Sequence, residues 1–182
     1  VNTPKELAQR LAAVTHFIRE QIISALSSGD VEIQRSLQQR YTAFRELLLP
    51  TLTPEEFADL YAQAMTYGLF AAKLSAPPGS TFSLISAYQF LFGSRFLRRL
   101  FSDVSEELDD IAIIRPYLLD IVSLLNRADF QSILADFGKR TRTEDPVVNF
   151  SEPFLAAYDP KLRESRGGYY TPEPVGHFIV HA

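Results

Sequence analysis

The chain has 182 residues and a net charge of −4, and 46% of its residues are hydrophobic. This length allows one domain with a sizeable core, and the mild charge excludes a strongly basic nucleic-acid tail. The absence of cysteine excludes disulfides, thiolate metal sites and a thiol nucleophile, and it fits a cytoplasmic protein. We expect no signal peptide, because the polar opening at 1–5 runs directly into an amphipathic pattern.

Two amphipathic helices are predicted first. Thr3-Pro4-Lys5-Glu6 is typical of a capping box, with Glu6 reaching back to the Thr3 amide. The inner face of this helix is predicted to carry Leu7, Leu11, Val14, Ile18, Ile22 and Leu26, with Phe17 beside them. Asp30 is predicted to cap a second helix, packed antiparallel to the first, which presents Ile33, Leu37, Tyr41, Phe44 and Leu48 inward and Arg35, Gln38, Gln39 and Arg40 to water.

A third helix is predicted to form the centre of the core. Thr53-Pro54-Glu55-Glu56 gives its start, with two carboxylates where the helix dipole favours them. No residue in 60–72 is charged, and apolar side chains occur all around the helix. A helix that is apolar on every side is buried on every side, so we predict a central buried helix near 54–74. Its uncharged run is too short to span a bilayer.

Shorter helices are predicted in the remainder. After the loop at 76–80 we expect helices at 82–92, at 96–101, from Pro116, and from Asp129 to an exit at Gly138. The segment 147–150 fits an extended strand or a helix, and Pro153 should kink or restart any helix there. Asp159-Pro160 should begin one more short helix. The sequence therefore predicts an all-α fold, an irregular multi-helix bundle with no substantial sheet.

Basic residues form clusters that could contact DNA phosphates. Arg95, Arg98 and Arg99 share one predicted helix, and Lys139, Arg140 and Arg142 follow Gly138 in a predicted loop. A third group, Lys161, Arg163 and Arg166, is interrupted by Glu164. The first two groups are the DNA-contact candidates, with 139–142 preferred. The alternative is that all three are ordinary solvated surfaces.

Other candidate chemistry is weaker. His177 and His181 have the spacing of two metal ligands, but no third ligand is evident, so we predict no metal site. His16 is predicted to bond a neighbouring group rather than a ligand. Asp136-Phe137-Gly138 matches the magnesium-binding triplet of protein kinases. The other kinase motifs are missing, so we reject a kinase function.

The most specific motif lies near the end of the chain. Gly167-Gly168 is followed by Tyr169-Tyr170-Thr171-Pro172, which predicts a turn and then a helix start capped by Thr171. Val175, Phe178 and Ile179 continue at helical spacing, and the pattern is still running at Ala182. We expect the chain to be a piece of a longer protein.

This motif resembles the one that opens the catalytic domain of adenine-N6 DNA methyltransferases, although Gly176 stands where that family more often has a second valine. Further stretches resemble large fused restriction–modification enzymes of the type IIG and type ISP kinds. These stretches are Ala58–Gln63, Asp136–Gly138, Glu144–Val147 and Phe154–Arg163.

The resemblance implies a parent enzyme that uses S-adenosylmethionine, flips a target adenine out of DNA and methylates its exocyclic nitrogen. Tyr169, Tyr170, Thr171 and Pro172 would help to hold the cofactor. The catalytic motif would lie beyond Ala182, so we expect residues 1–182 alone to bind no cofactor and to be inactive. A nuclease or translocase module would precede the chain, and the methyltransferase module would follow it. Residues 1–145 would be a helical connector domain, and 146–182 the lead-in to the methyltransferase domain.

Two alternatives remain open. The chain could be a free-standing helical adaptor, since 14 phenylalanines and 8 tyrosines can fill a core and still leave an aromatic patch exposed. It could also be a helical DNA-binding module. Salt separates the two, because DNA binding weakens steeply as salt rises.

Overall fold

The computed structural model describes residues 1–47, 49–91, 95, 98, 112–140 and 146–159, without the side chains of 88, 137–140 and 147–148. In these residues the backbone forms helices and contains no strand, which confirms the predicted all-α class. The helices are α1 (Pro4–Leu26), α2 (Val31–Leu47), α3 (Pro54–Ser75), α4 (Leu84–Gln89), α5 (Arg115–Arg127), α6 (Phe130–Arg140) and α7 (Pro146–Tyr158).

The predicted helix starts of α1 and α3 are confirmed. The Thr3 hydroxyl accepts the Glu6 amide at 3.2 Å. The Thr53 hydroxyl accepts the Glu56 amide at 3.2 Å, while the Glu56 carboxylate accepts the Thr53 amide at 3.0 Å. The prediction for Glu6 is wrong in one detail, because its carboxylate accepts the Asn2 amide at 3.4 Å instead of the Thr3 amide. In each case a side chain satisfies an amide that the first turn leaves without a partner.

The central position of α3 is also confirmed. Every residue from Leu60 to Phe70 is buried, and α3 contacts α1, α2, α4, α5 and α7. At its first turns Phe57 and Tyr61 pack with Tyr41 and Phe44 of α2, at ring-centroid distances between 5.2 and 5.9 Å. This helix is therefore the core of the bundle.

Helix α1 lies along α3 and joins the other elements to it. The Thr15 and Thr66 hydroxyls, both buried, lie 2.6 Å apart between the two helices. Helices α2, α5, α6 and α7 also contact α1. Phe17 is 58% exposed and stacks on Tyr117 of α5 at 5.9 Å, so it lies at the edge of the α1–α5 contact.

One predicted helix differs in extent. The helix expected at 82–92 is described only over Leu84–Gln89, because the Ser83 hydroxyl accepts the Ser86 amide at 3.1 Å and caps a later start. Phe82 precedes this helix and is buried, whereas Ile85 within it is 65% exposed.

The segment at 147–150 is helical, and the helix does not restart at Pro153, which was one of the two outcomes predicted for that proline. Helix α7 continues through Pro153 to Tyr158. Phe150 and Phe154, on either side of the proline, are both buried. The helix therefore packs an unbroken apolar face, whose burial outweighs the hydrogen bond that the proline cannot make.

The proposed domain boundary and two of the predicted helices lie at or beyond the limits of the described residues. The boundary proposed after residue 145 adjoins 141–145, which lie outside the described residues, and α7 beyond it packs on α1, α3 and α6. The helices predicted at 96–101 and after Asp159 also fall largely outside them. Within the described part of the chain, no helix is long and apolar enough to cross a membrane.

Candidate functional site at the end of α7

Many of the residues predicted from sequence lie outside the described part of the chain. These are Tyr169, Tyr170, Thr171 and Pro172 of the cofactor motif, together with Arg99 and Arg142. Arg95 and Arg98 have helical backbone, and both are exposed. The structure therefore places two of the six DNA-contact candidates on the surface with their side chains.

The prediction that the preferred basic cluster lies in a loop is wrong for Lys139 and Arg140. Lys139 and Arg140 belong to the end of α6, which runs on past Gly138. Asp129 starts this helix by accepting the Ser132 amide at 3.1 Å. Glycine costs a helix only about 1 kcal/mol, and basic residues are favourable near a helix C-terminus. The helix therefore tolerates Gly138 and ends later than predicted.

What the structure brings together is a polar cluster at the end of α7, which we call the α7 clasp. It consists of His16 and Arg19 from α1, Asp59 from α3 and Tyr158 from α7. Three helices that are distant in sequence meet at this point. The clasp holds the last residue of α7.

His16 binds the end of α7 in two ways. Its Nε2 lies 2.7 Å from the Tyr158 carbonyl oxygen. Because a carbonyl oxygen only accepts, Nε2 must carry the proton and donate. The imidazole ring also stacks on the Tyr158 ring, with centroids 4.2 Å apart and planes 19° from parallel. The last carbonyls of a helix have no partner within it, so His16 satisfies one of them.

Asp59 is the acceptor at the centre of the clasp. The Tyr158 hydroxyl donates to its Oδ1 at 2.6 Å, and the Arg19 Nε donates to the same oxygen at 2.7 Å. The Asp59 side chain is 18% exposed and the Arg19 side chain 26%, so the ion pair is largely shielded from water. Arg19 also pairs with the more exposed Glu20.

The charge of Arg19 is secured by this arrangement. Partial burial by itself would lower the pKa of Arg19, but the negative charge of Asp59, with smaller contributions from Tyr158, Glu20 and the hydrogen bond to Asp59, outweighs it, and the net pKa is raised. An ion pair that is largely shielded from water is costly to break, because removing one partner leaves the other charge uncompensated. The clasp is therefore a firm attachment.

A row of aromatic rings continues from the clasp into the core. Tyr158 stacks on Phe154 at 5.8 Å, and Phe154 contacts Tyr67 of α3 edge-on at 5.1 Å. Phe150 stacks on Phe70 at 4.2 Å. Offset and edge-on ring pairs add to the stabilisation from burial, so α7 is fixed along its length as well as at its end.

The arrangement suits positioning better than catalysis. The Tyr158 hydroxyl is buried and its proton is donated to Asp59, so this hydroxyl is already engaged within the protein. No group of three or more metal-ligating side chains occurs among the described residues. What this site can do is hold the last turn of α7 against α1 and α3.

Sequence reasoning found only part of this site. The prediction that His16 bonds a neighbouring group is confirmed. The pairing of Asp59 with Tyr158 was not predicted, since 99 residues separate them and no periodic pattern links positions so far apart. Both residues do fall in stretches that carry the family resemblance.

The chain matches no protein-family model, no curated protein and no solved structure.

Proposed function

We propose that this chain is the helical connector of an adenine-N6 DNA methyltransferase in a restriction–modification enzyme. In this role the bundle holds Tyr158, from which the chain leads on to the segment that opens the cofactor pocket. The proposed family rests on the resemblance carried by Tyr169-Tyr170-Thr171-Pro172 and the four upstream stretches. The longer protein is the enzyme, and S-adenosylmethionine supplies its methyl group when bound.

The α7 clasp is the observation that carries the connector role. A tether that merely joins two modules needs no contacts with the bundle. Here Tyr158, which precedes the cofactor motif by a short segment, is held by α1 through His16 and by α3 through Asp59. Such an attachment fixes the origin of the following segment, as a pocket assembled from separate elements requires.

The first test concerns the family. Reading the source gene past the codon for Ala182 should reveal a glycine-rich motif after a strand, followed by Asn-Pro-Pro-Tyr or a close variant. The encoded longer protein should transfer labelled methyl groups to adenine in DNA. Residues 1–182 alone should show no cofactor binding by isothermal titration. A stop codon at this point, or micromolar cofactor binding by residues 1–182, would contradict the proposal.

The second test concerns the connector role and uses the longer protein. Asp59→Asn and His16→Ala weaken the clasp without touching the cofactor motif. Both should lower kcat for methyl transfer while the protein remains folded by circular dichroism. Arg10→Ala is the control, because it removes an exposed ion pair with Glu6 on the same helix. Equal kcat in all three variants would reject the positioning role and leave the family assignment in place.

One observation favours a second candidate, the helical adaptor. Phe17 is 58% exposed and forms a surface stack with Tyr117, and exposed aromatic surface is common where proteins bind each other. If the gene encodes no methyltransferase, Phe17→Ala should weaken a protein complex to the same extent at low and high salt. Loss of that effect at high salt would point to an electrostatic contact instead.

A further inference from the structure

The residues that lead into α1 are attached to a distant part of the bundle. The Val1 carbonyl oxygen accepts a hydrogen bond from the Asp129 amide at 2.8 Å. Asp129 lies between α5, which ends at Arg127, and α6, which begins at Phe130. We call the turn at 128–130 the α5–α6 corner. This corner therefore contacts the chain directly before α1.

The side chain of Val1 supports the same contact. It is partly buried and packs against the hydrophobic core. Removing apolar surface from water is favourable, so this packing keeps the backbone at Val1 in place. The hydrogen bond and the burial therefore act on the same residue.

Short-range hydrogen bonds connect Val1 to α1 itself. The Glu6 carboxylate accepts the Asn2 amide at 3.4 Å, and the Thr3 hydroxyl accepts the Glu6 amide at 3.2 Å. The Leu7 amide then donates to the Thr3 carbonyl at 3.1 Å. The backbone is therefore held at each residue between the corner and the first turn of α1.

Helix α1 has the features of a rigid element. After Pro4 at its first position, its sequence contains neither proline nor glycine, and most sharp helix kinks occur at such residues. The helix also contacts α2, α3, α5, α6 and α7. Packing on several sides restrains bending, so a displacement of one end of α1 is transmitted to the rest of the helix.

The α7 clasp attaches the same helix to the end of α7. His16 holds Tyr158 directly, and Arg19 holds it through Asp59. Pro4 and His16 are twelve positions apart, which corresponds to about 18 Å along a helix axis. Helix α1 therefore joins the α5–α6 corner to the clasp over a set distance.

We propose that the α5–α6 corner is the docking site for the chain segment that leads into α1. Together with the clasp, it makes α1 a rigid spacer between Val1 and Tyr158. This inference rests on the proposed function, because that function supplies a module on each side of the chain. It adds that the bundle, rather than a loose tether, sets the distance between the two points from which those modules extend.

The alternative is an entry segment that is only loosely attached. Residues that lead into a domain are poorly ordered unless they are tied down. The hydrogen bond between Val1 and Asp129 is such a tie, because it joins α1 to an element far along the chain. The local capping bonds of Thr3 and Glu6 could form without it.

The docking site is tested by hydrogen exchange at the Leu7 amide of residues 1–182. Asp129→Pro removes the amide that donates to Val1, whereas Asp129→Ala keeps it, and both remove the carboxylate that starts α6. Ala128 has a ψ of 140°, which suits a residue before proline. Exchange at Leu7 should be about three- to tenfold faster in Asp129→Pro than in Asp129→Ala, because one hydrogen bond is lost.

A second variant tests the same site without a proline. Val1→Gly removes the side chain that packs against the core, and Leu7 exchange should become about two- to fivefold faster. The control is Asn2→Ala, because Asn2 is exposed and its backbone amide is kept. This control should leave Leu7 exchange unchanged. If Asp129→Pro does not fold, the Val1→Gly result decides alone.

The spacer is tested with spin labels. The chain has no cysteine, so two introduced cysteines are the only labelling sites. Asn2→Cys and Glu152→Cys place labels at exposed positions before α1 and on α7. Double electron–electron resonance on residues 1–182 should give one narrow distance distribution. It should broaden when Asp129→Pro is added and keep its width when Asp129→Ala is added.

Two results would overturn the inference. Equal Leu7 exchange in Asp129→Pro and Asp129→Ala would remove the docking site, and a broad distance distribution without any Asp129 substitution would remove the spacer. Neither result bears on methyl transfer by the longer protein. Conversely, Asp59→Asn should leave Leu7 exchange unchanged while it lowers kcat, so a failure of the proposed function would be seen separately.

Discussion

Helices α2 and α3 are consecutive in the chain, yet they meet opposite surroundings. Helix α3 is buried on every side from Leu60 to Phe70, whereas α2 buries only Leu37 and Phe44. Both begin with a side-chain cap, Thr53 for α3 and Asp30 for α2. Local signals therefore start both helices. The number of sides on which each helix is packed decides how much it contributes to the stability of the fold.

The largest effect should come from removing a ring in the centre of α3. Phe70 is fully buried and stacks on Phe150 at 4.2 Å. Phe70→Ala should lower the free energy of unfolding by about 3–5 kcal/mol, from lost burial plus the cavity left behind. Urea denaturation measures it. The matched control is Phe17→Ala, at a ring that is 58% exposed, which should cost about 1 kcal/mol or less. Similar losses in the two variants would contradict the picture of α3 as the core.

The single buried stripe of α2 should give a smaller loss. Leu37 is 2% exposed, and Leu37→Ala should cost about 2–3 kcal/mol. This is the lower part of the usual range, because a helix packed on one side can relax into the space. Leu47, at 64% exposed, is the control, and Leu47→Ala should stay within about 0.5 kcal/mol. A loss at Leu37 as large as that at Phe70 would show that α2 is as tightly packed as α3.

Alkaline pH should act on α3 through Tyr67. Its hydroxyl is buried, and among the described residues it has no hydrogen-bond partner. Burial raises the pKa of Tyr67 above its ordinary value of 10.0, so the folded protein keeps this proton while the unfolded chain releases it. The free energy of unfolding is therefore unaffected by this group below pH 10. Above pH 10 it falls as pH rises, by about 1.4 kcal/mol per pH unit for this group. In Tyr67→Phe the fall above pH 10 should be shallower by that amount. Identical pH profiles for the two proteins would show that Tyr67 ionises equally in both states.

The smallest effects should come from two matched hydroxyl deletions at neutral pH. The Tyr41 hydroxyl of α2 donates to the Leu52 carbonyl, and Tyr41→Phe should cost about 1 kcal/mol. Tyr67→Phe removes a hydroxyl without such a partner and should cost nothing or stabilise slightly. Thermal unfolding of the two variants measures the difference. A larger loss for Tyr67→Phe would mean that its hydroxyl has a partner after all.

Much of the fold could be predicted because its signals are local. A capping residue acts on amides two or three positions away, as at Thr3, Asp30 and Thr53. The uncharged run in 60–72 required burial wherever the other helices lay. The error at Pro153 concerns which contacts the surrounding segment makes, and these depend on elements far along the chain.

The candidate site shows the same limit more sharply. The bond that His16 makes was predicted in kind, but not its partner at the end of α7. The hydrogen bond between Asp59 and Tyr158 joins residues 99 positions apart.

The sequence by itself determined the all-α class, the start of most described helices and the burial of α3, because these follow from side-chain chemistry acting within a few residues. Only the tertiary structure decided that α7 runs through Pro153, that three helices meet in the clasp, and that α2 keeps one side free. Those outcomes depend on contacts between segments that no local pattern connects, since each is stabilised only when its distant partner is already in place.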